Sequence, residues 1–323
     1  DIPVFFDTPV ENPEFNALSE KMGWGLKTNN KLSFSPMLSP RVGFRWDINN
    51  DRKFILRGGA GVFTGRIPFV WVSNNFSGTG LQLSSYDSNN SSTKGLELIL
   101  DPNKQSANAD KMKASAGSQD VAVCGKNFKF AQNLRLNLGF DFEALGIDWT
   151  AEAIYSKTLN DILYKNLAQE QSGQTFSQKY GYEWDNRPLY QSVVKGTPIA
   201  GVYALGNTSK GYTVNLSLKA EKHFNFGLDL MASYTWTRSR SAANGGSSVA
   251  KSNWTYQYTY RDCNDLEVGN SAYNVPHRIQ ASAYYHIKYG HQKQWQTTLG
   301  VIYQGKSGSP YTYYYYGDVN EDG

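Results

Sequence analysis

The sequence lacks several features that define common classes of membrane and metal proteins. It has only two cysteines and four histidines in 323 residues, and the histidines show no spacing typical of a metal site. No segment approaches the roughly 18 consecutive apolar residues of a membrane helix. The net charge of +4 is too small and too scattered to indicate a nucleic-acid surface. These absences argue against a helical membrane protein, a zinc cluster and a nucleic-acid partner.

Aromatic residues are abundant, and apolar residues alternate with polar ones. In 277–287 the apolar residues are Ile279, Ala281, Ala283, Tyr285 and Ile287, and the pattern resumes through 295–304. A period of two predicts a strand with one apolar and one polar face. Tilted strands of about ten residues match the height of a bilayer's hydrocarbon layer. The pair therefore favours a membrane-spanning hairpin over a soluble one.

The same pattern occurs in four pairs of segments, which predict strands at about 41–48, 53–64, 133–143, 147–157, 212–224, 228–238, 277–287 and 295–304. Very short connections alternate with the long ones at 65–132, 158–211 and 239–276. Outer-membrane barrels have short periplasmic turns and long extracellular loops. The fold class predicted is all-β, a transmembrane antiparallel β-barrel. A soluble β-sandwich or propeller is the alternative, but its strands are usually shorter.

Aromatic residues also mark both ends of the predicted strands. Those beside the short turns are Trp46, Phe54, Phe142, Trp149 and Trp295, and those toward the long loops are Tyr155, Tyr212, Trp236 and Tyr303. Leu, Ala and Val occupy the outward positions between them. Two aromatic girdles around an apolar band are typical of an outer-membrane barrel. The positions of the aromatic residues thus predict that the strands cross a membrane and that this membrane is the bacterial outer membrane.

The termini fall outside the alternation. Residues 1–40 read as an extracellular loop with a short helix, since Asn12 and Pro13 precede an apolar pair. The chain starts at Asp1 without a signal peptide and stops at Gly323 in an apparent loop. An open set of membrane strands would leave unpaired backbone groups in lipid. We therefore expect 41–323 to be part of a longer barrel, without its plug domain and C-terminal strands.

Local sequences at 39–71, 155–166, 274–290 and 300–323 resemble TonB-dependent outer-membrane receptors of Bacteroidetes. The resemblance is greatest to the Oar-like group, whose members carry a carboxypeptidase-regulatory-like domain before the plug. It implies a barrel of about 22 strands, occluded by an N-terminal plug. It also implies uptake energised by an inner-membrane complex that pulls on a short box ahead of the plug. The chain would supply the barrel portion only.

The function expected is uptake of a large ligand, such as a peptide, glycan or chelate, across the bacterial outer membrane. The alternatives are a surface adhesion or assembly protein and a passive pore. Expected partners are outer-membrane lipid, the plug domain, the energy-coupling TonB complex and a surface lipoprotein. No arrangement of nucleophile, base and acid presents itself, so no enzyme activity is expected. A GxxxxGK[ST] match at 300–307 lies within a predicted strand, where a phosphate loop cannot form.

Three kinds of binding residue remain as candidates. Aromatic residues of the outer loops could stack on a ligand: Trp71, Trp184, Trp254, Tyr313 and Tyr315. Asp318, Asn320, Asp322 and Gly323 match the opening of a calcium loop, and the alternative is a plain turn rich in Asp and Asn. Cys124 and Cys263 both fall in predicted outer loops, where an exported protein permits a disulfide between them.

Overall fold

The computed structural model describes residues 8–30, 36–81, 99–104, 119–125, 127–243 and 245–323. Its fold has two regions: a wall of long antiparallel strands, and a layer of shorter elements at the end of the wall that carries the long connections. We call these regions the strand wall and the outer layer. Among the described residues, no helix is both long and apolar enough to cross a membrane.

The strand wall consists of eight strands in one sheet. They are β1 (Arg41–Asp47), β2 (Phe54–Thr64), β4 (Gln132–Ala144), β5 (Ile147–Asn166), β9 (Gly211–His223), β10 (Leu228–Ser241), β12 (His277–Tyr289) and β13 (Trp295–Lys306). Each pairs antiparallel with the next in that order. Within the described residues β1 and β13 lie at opposite ends of the sheet and do not pair, so the ring is not closed.

The apolar side chains of neighbouring strands lie opposite one another and form one continuous face. One row across this face passes through residues paired on successive strands: Leu56, Phe140, Ala151, Leu218, Tyr234 and Ile279. Leu216, in the next row, leaves 47% of its surface exposed. In water such a face would promote association, whereas a bilayer solvates it with acyl chains.

The opposite face of the wall carries charged and polar side chains. Arg57 donates from Nε to Asp141 at 3.2 Å and from Nη1 to Glu152 at 2.9 Å, which links three strands. Gly139 lies beneath this guanidinium, and a Cβ there would stand 2.8 Å from Arg57 Cζ. The charges thus form a hydrogen-bonded wall, as expected for the lumen side of a barrel.

A second polar group lies at the short-turn end of the same face. The Asp229 carboxylate is 2.7 Å from His223 Nδ1 and 2.9 Å from His286 Nε2, so it bridges β9 and β12. Across the described ranges, no three residues of the His, Cys, Asp and Glu types are arranged to hold a metal ion. The triplet therefore serves as a cross-strand contact.

The long connections form the outer layer and contain secondary structure of their own. The outer layer contains the elements α1 (Pro13–Lys21), α2 (Phe69–Ser77), β3 (Gln119–Cys124), β6 (Gln169–Thr175), α3 (Phe176–Tyr180), β7 (Pro188–Ser192), β8 (Ile199–Thr208), α4 (Ala250–Thr255) and β11 (Gly269–Asn270). Strand β5 also continues from the wall into this layer, past the predicted end at 157. Its last residues, Asp161–Asn166, pair antiparallel with β8.

Strand β3 pairs parallel with β8, whereas the other strand pairs among the described residues are antiparallel. Alternate residues of β3 are buried on both sides. Val121 and Val123 pack with Phe15 of α1 and Val202 of β8, whereas Ala122 and Cys124 face the cluster that contains Val72, Leu205 and Trp254. Parallel strand pairs are normally covered on both faces. Here α1 covers one face, and α2 and α4 cover the other.

Candidate functional site

A cavity of about 720 Å³ opens in the outer layer between two chain segments rich in tyrosine. The first segment follows α4, and the second follows β13. Together they contribute an aromatic lining: Trp254, Tyr256, Tyr258, Tyr260, Tyr313, Tyr314, Tyr315 and Tyr316. Tyrosine offers an apolar ring face and a hydroxyl that donates or accepts hydrogen bonds. The lining therefore suits a ligand with flat apolar faces and polar edges.

Ring stacking joins the two segments. The rings of Tyr258 and Tyr314 have centroids 4.6 Å apart and an interplanar angle of 5°. Tyr311 and Tyr313 meet edge to face at 5.3 Å. Tyr313 is nevertheless 88% exposed, so its ring face remains available. Some tyrosines thus hold the cavity in shape by ring contacts, whereas others, such as Tyr313, expose a ring face on which a ligand could stack.

Arg187 places a fixed positive charge in the lining. Its guanidinium carbon lies 5.1 Å from the ring centroid of Tyr315 and 5.5 Å from that of Tyr260, within the range of cation–π contact. Its Nε donates to Asp185 Oδ1 at 2.9 Å. Because that charge is paired, Arg187 orients the tyrosine rings rather than offering a free cation to an anionic ligand.

Asp185 is the buried partner, with only 2% of its surface exposed. Burial by itself would raise the pKa of its carboxyl. The side-chain and backbone hydrogen bonds from Arg187, together with its charge, outweigh burial and lower the pKa below its ordinary value. Asp185 is therefore ionised at neutral pH and keeps Arg187 in place.

The base of the cavity consists of buried groups. Trp254 Nε1 donates to the Cys263 carbonyl at 3.2 Å, and the Cys263 amide donates to Tyr190 Oη at 3.2 Å. Burial raises the pKa of the Cys263 thiol to about 12 and that of Cys124 to about 12. Both are free thiols in the same apolar cluster, and the disulfide that the sequence permits between them stays a prediction. Neither thiol is activated as a nucleophile.

The segment 318–323 closes one side of the cavity as a turn. The Asp318 carboxylate accepts backbone N–H groups of Asp322 at 2.9 Å and Gly323 at 3.0 Å. The Asn320 amide donates to Asp322 Oδ2 at 2.8 Å. Glu321, which has a positive φ of 61°, pairs with Lys179 and Tyr180 of α3. This turn therefore anchors the β6–β7 hairpin to the cavity.

Calcium at this turn stays a prediction. The side-chain oxygens of Asp318, Asn320 and Asp322 are fewer than the roughly six to eight oxygen ligands that calcium takes. Several of their oxygens already accept hydrogen bonds from the turn itself. The residues present fit a turn rich in Asp and Asn at least as well as a metal loop.

The structure brings together three of the five aromatic residues predicted to bind ligand. Trp254, Tyr313 and Tyr315 line the cavity. Trp71 instead packs beside the core and donates from Nε1 to the Ser247 carbonyl at 2.7 Å. Trp184 lies outside the lining, where it is 71% exposed and contacts Tyr182 edge to face. Ligand binding by any of them stays a prediction.

Sequence reasoning missed several lining residues, among them Tyr256, Tyr258, Tyr260 and Arg187. Tyr256, Tyr258 and Tyr260 alternate with Gln257 and Thr259, and the run of tyrosines at 313–316 follows Tyr311 and Thr312. The high tyrosine content that the two segments share is a usable signal. Arg187 gave no signal, because its role depends on contacts with residues far away in the chain.

Comparison with known proteins places the chain in a family. Residues 19–323 match the family model described as outer membrane beta barrel domain. The chain belongs to this family, and its location is the bacterial outer membrane. A search of curated proteins returns no significant match.

Solved structures similar to this chain include a siderophore receptor and an outer membrane transporter. The siderophore receptor PirA from Pseudomonas aeruginosa is 11% identical with a TM-score of 0.39, and the match covers 84% of this chain and 34% of that one. The outer membrane transporter YddB from Escherichia coli is 14% identical with a TM-score of 0.40, covering 85% and 30%. The chain thus spans about a third of their length. At these scores the likenesses carry no information on ligand or activity.

Proposed function

We propose that this chain forms part of the wall and outer surface of a TonB-dependent outer-membrane transporter, in which the aromatic cavity captures the ligand. The single observation that carries the proposal is the position of the cavity. It lies at the long-loop end of strands whose outward face is apolar, and the long loops of outer-membrane barrels are extracellular. A ligand arriving from outside therefore meets the cavity first.

The finer assignment extends the resemblance noted in the sequence. We propose a member of the Oar-like group of Bacteroidetes, with a complete barrel of about 22 strands, a plug and an energy-coupling partner. The charged face of the wall supports a plug contact, since Arg57, Asp141 and Glu152 line the side that a plug would occupy. The chain's role is binding and passage, not catalysis.

The lining favours a neutral ligand over an anionic one. The charge of Arg187 is already paired with Asp185, and the turn at 318–323 adds the carboxylates of Asp318 and Asp322. The rest of the lining is largely phenol rings and backbone. Among the expected ligands, a glycan or an uncharged peptide therefore suits the cavity better than an acidic chelate.

Uptake in cells tests the proposal. Cells with the protein, without it, or without the coupling complex receive fluorescent neutral oligosaccharides or, separately, fluorescent oligopeptides, each too large for porins. We expect uptake of one of the two probes only when protein and coupling complex are both present. Uptake that survives loss of the coupling complex would indicate a passive pore. Surface binding without uptake would indicate an adhesion protein.

A paired substitution assigns the capture step to the cavity. Tyr258→Ala removes a ring stacked at 4.6 Å on Tyr314 and should weaken probe binding by about three- to tenfold, the effect of one aromatic contact. Trp184→Ala is the control, since Trp184 is also an exposed aromatic residue, 71% exposed against 53% for Tyr258, but lies outside the cavity. Equal losses in both variants, measured by fluorescence titration, would contradict the assignment.

A further inference from the structure

The outward face of the wall has a depression lined by alanines. Ala220, Ala232 and Ala281 lie in one row across β9, β10 and β12, because Ala232 pairs with both of the others. Ala283 occupies the next row toward the short turns, where it pairs with Leu230. Adjacent small side chains lower the surface relative to the Leu and aromatic residues around them. We call this depression the alanine groove.

Larger apolar side chains form the sides of the alanine groove. They are Ile147, Phe224, Leu230, Val301 and Tyr303, and the volume of this open groove is about 540 Å³. Trp149 flanks the alanine row on the side of β5, and Tyr303 flanks it on the side of β13. The groove is therefore apolar along its length and bordered by rings that can pack against a hydrocarbon chain.

A single cation marks one end of this groove. Lys222 pairs with Leu230 and so points to the apolar side of the sheet. Its Nζ is held near the turn after β4, 3.4 Å from the Leu145 carbonyl and 5.5 Å from the ring centroid of Phe224. Among the described residues, Lys222 forms no ion pair. A lysine on a membrane face extends its ammonium toward the interface.

We propose that the alanine groove and Lys222 bind one phospholipid of the periplasmic leaflet. An acyl chain lies along Ala220, Ala232 and Ala281, and the lipid phosphate pairs with the Lys222 ammonium. The short turns face the periplasm in barrels of this family, which puts Lys222 at the level of that leaflet's headgroups. An ion pair in this region is stronger than one in bulk water because the local dielectric constant is lower.

The charge and the shape support each other as separate observations. The shape of the alanine groove accounts for the position of an acyl chain, but it does not distinguish one class of lipid from another. Lys222 supplies a partner for the phosphate at the end where a headgroup must lie. This inference rests on the membrane location and not on the ligand proposed for the aromatic cavity.

Native mass spectrometry tests the inference. The protein is extracted in a mild detergent and titrated with palmitoyl-oleoyl-phosphatidylglycerol. Two variants address the two halves of the site: Lys222→Gln removes the charge, and Ala232→Trp fills the groove. We expect Lys222→Gln to weaken lipid retention by roughly fivefold, the contribution of one lysine near an anionic surface, and Ala232→Trp to weaken it by occupying the space of the acyl chain.

Matched controls lie elsewhere on the same face. Lys157→Gln changes an outward lysine at the long-loop end, and Ala153→Trp enlarges an outward alanine that pairs with Leu216, away from the groove. Both should retain lipid as the unchanged protein does. Equal retention in all variants, or equal loss in the controls, overturns the inference. Loss with Ala232→Trp but not with Lys222→Gln also overturns it, because the headgroup contact would be absent.

Discussion

The strand wall and the outer layer use the same apolar residue types in opposite ways. In the outer layer Val121 and Leu205 are almost completely buried among other side chains. In the wall Leu216 and Leu218 lie on an open face, each roughly half exposed. The outer layer is folded against water and has cores of its own. The wall has its apolar face turned to the membrane, so its hydrophobic partner is the acyl chain.

Truncation of a leucine in the core of the outer layer should produce the largest difference in free energy of unfolding between the two regions. Leu205→Ala should lower the free energy of unfolding by about 2–5 kcal/mol, because it leaves a cavity in the cluster around Trp254. Leu218→Ala makes the same chemical change on the outward face, where acyl chains fill the space, so its loss should be clearly smaller. Equilibrium unfolding in phospholipid bilayers, followed by tryptophan fluorescence, measures both. Similar losses would contradict the division into two regions.

A charge placed on the two faces of one strand should produce the next effect. Leu216→Arg puts a guanidinium among acyl chains and should cost about 2–4 kcal/mol near the bilayer midplane. Asn215→Arg, one residue away on the polar face, should cost much less, although it removes the hydrogen bond from Thr237. The same unfolding experiment compares them. Equal sensitivity at both positions would show that the faces are wrongly assigned.

The smallest effect concerns pH and is confined to the outer layer. Arg187 lowers the pKa of Asp185 in the folded state, so this pair stabilises the fold above the unfolded pKa of about 3.9. That stabilisation is lost as the pH falls below about 4. Asp322 acts in the opposite direction, because burial raises its pKa. Each should contribute on the order of 1 kcal/mol or less.

Asp185→Asn isolates the first contribution. Near-ultraviolet circular dichroism of the tyrosine-rich layer, recorded from pH 6 to pH 3, should show a weaker acid dependence in this variant than in the unchanged protein. An identical acid dependence in both would exclude Asp185 as its source. The wall should show no corresponding change, since Asp185 lies outside it.

The strand wall could be predicted because its signal is local. Alternation within each segment, such as Ile279 to Ile287, depends only on neighbouring residues and on the solvent that each face meets. The outer layer could not be predicted in this way. Strands β3 and β8 read as short apolar runs at Val121–Cys124 and Ile199–Leu205, a pattern shared with buried helices. Their parallel pairing joins Val121 to Val202, far apart in sequence.

The candidate site shows the same limit. The tyrosine-rich segments are evident in the amino-acid sequence, and three of the aromatic residues predicted to bind ligand line the cavity. Their meeting depends on Tyr258 contacting Tyr314 and on Arg187 reaching Tyr315. These contacts join residues that are far apart in sequence, and they form only when the outer layer folds. The spacing of residues along the chain therefore does not predict them. Trp71 and Trp184 had the same sequence character but lie elsewhere.

The parallel β3–β8 pair has a consequence for the order of assembly. All of β4 to β7 lies between its partners, so closing it costs more chain entropy than forming the adjacent β4–β5 hairpin. Slow, non-local steps come late in folding. During folding, the amides of β4 and β5 should become protected from hydrogen exchange before those of β3. Simultaneous protection of all three strands would contradict this order of assembly. Until then the cluster that joins Ala122 and Cys124 to Trp254 is incomplete, so the cavity that Trp254 lines should be among the last parts of the chain to form.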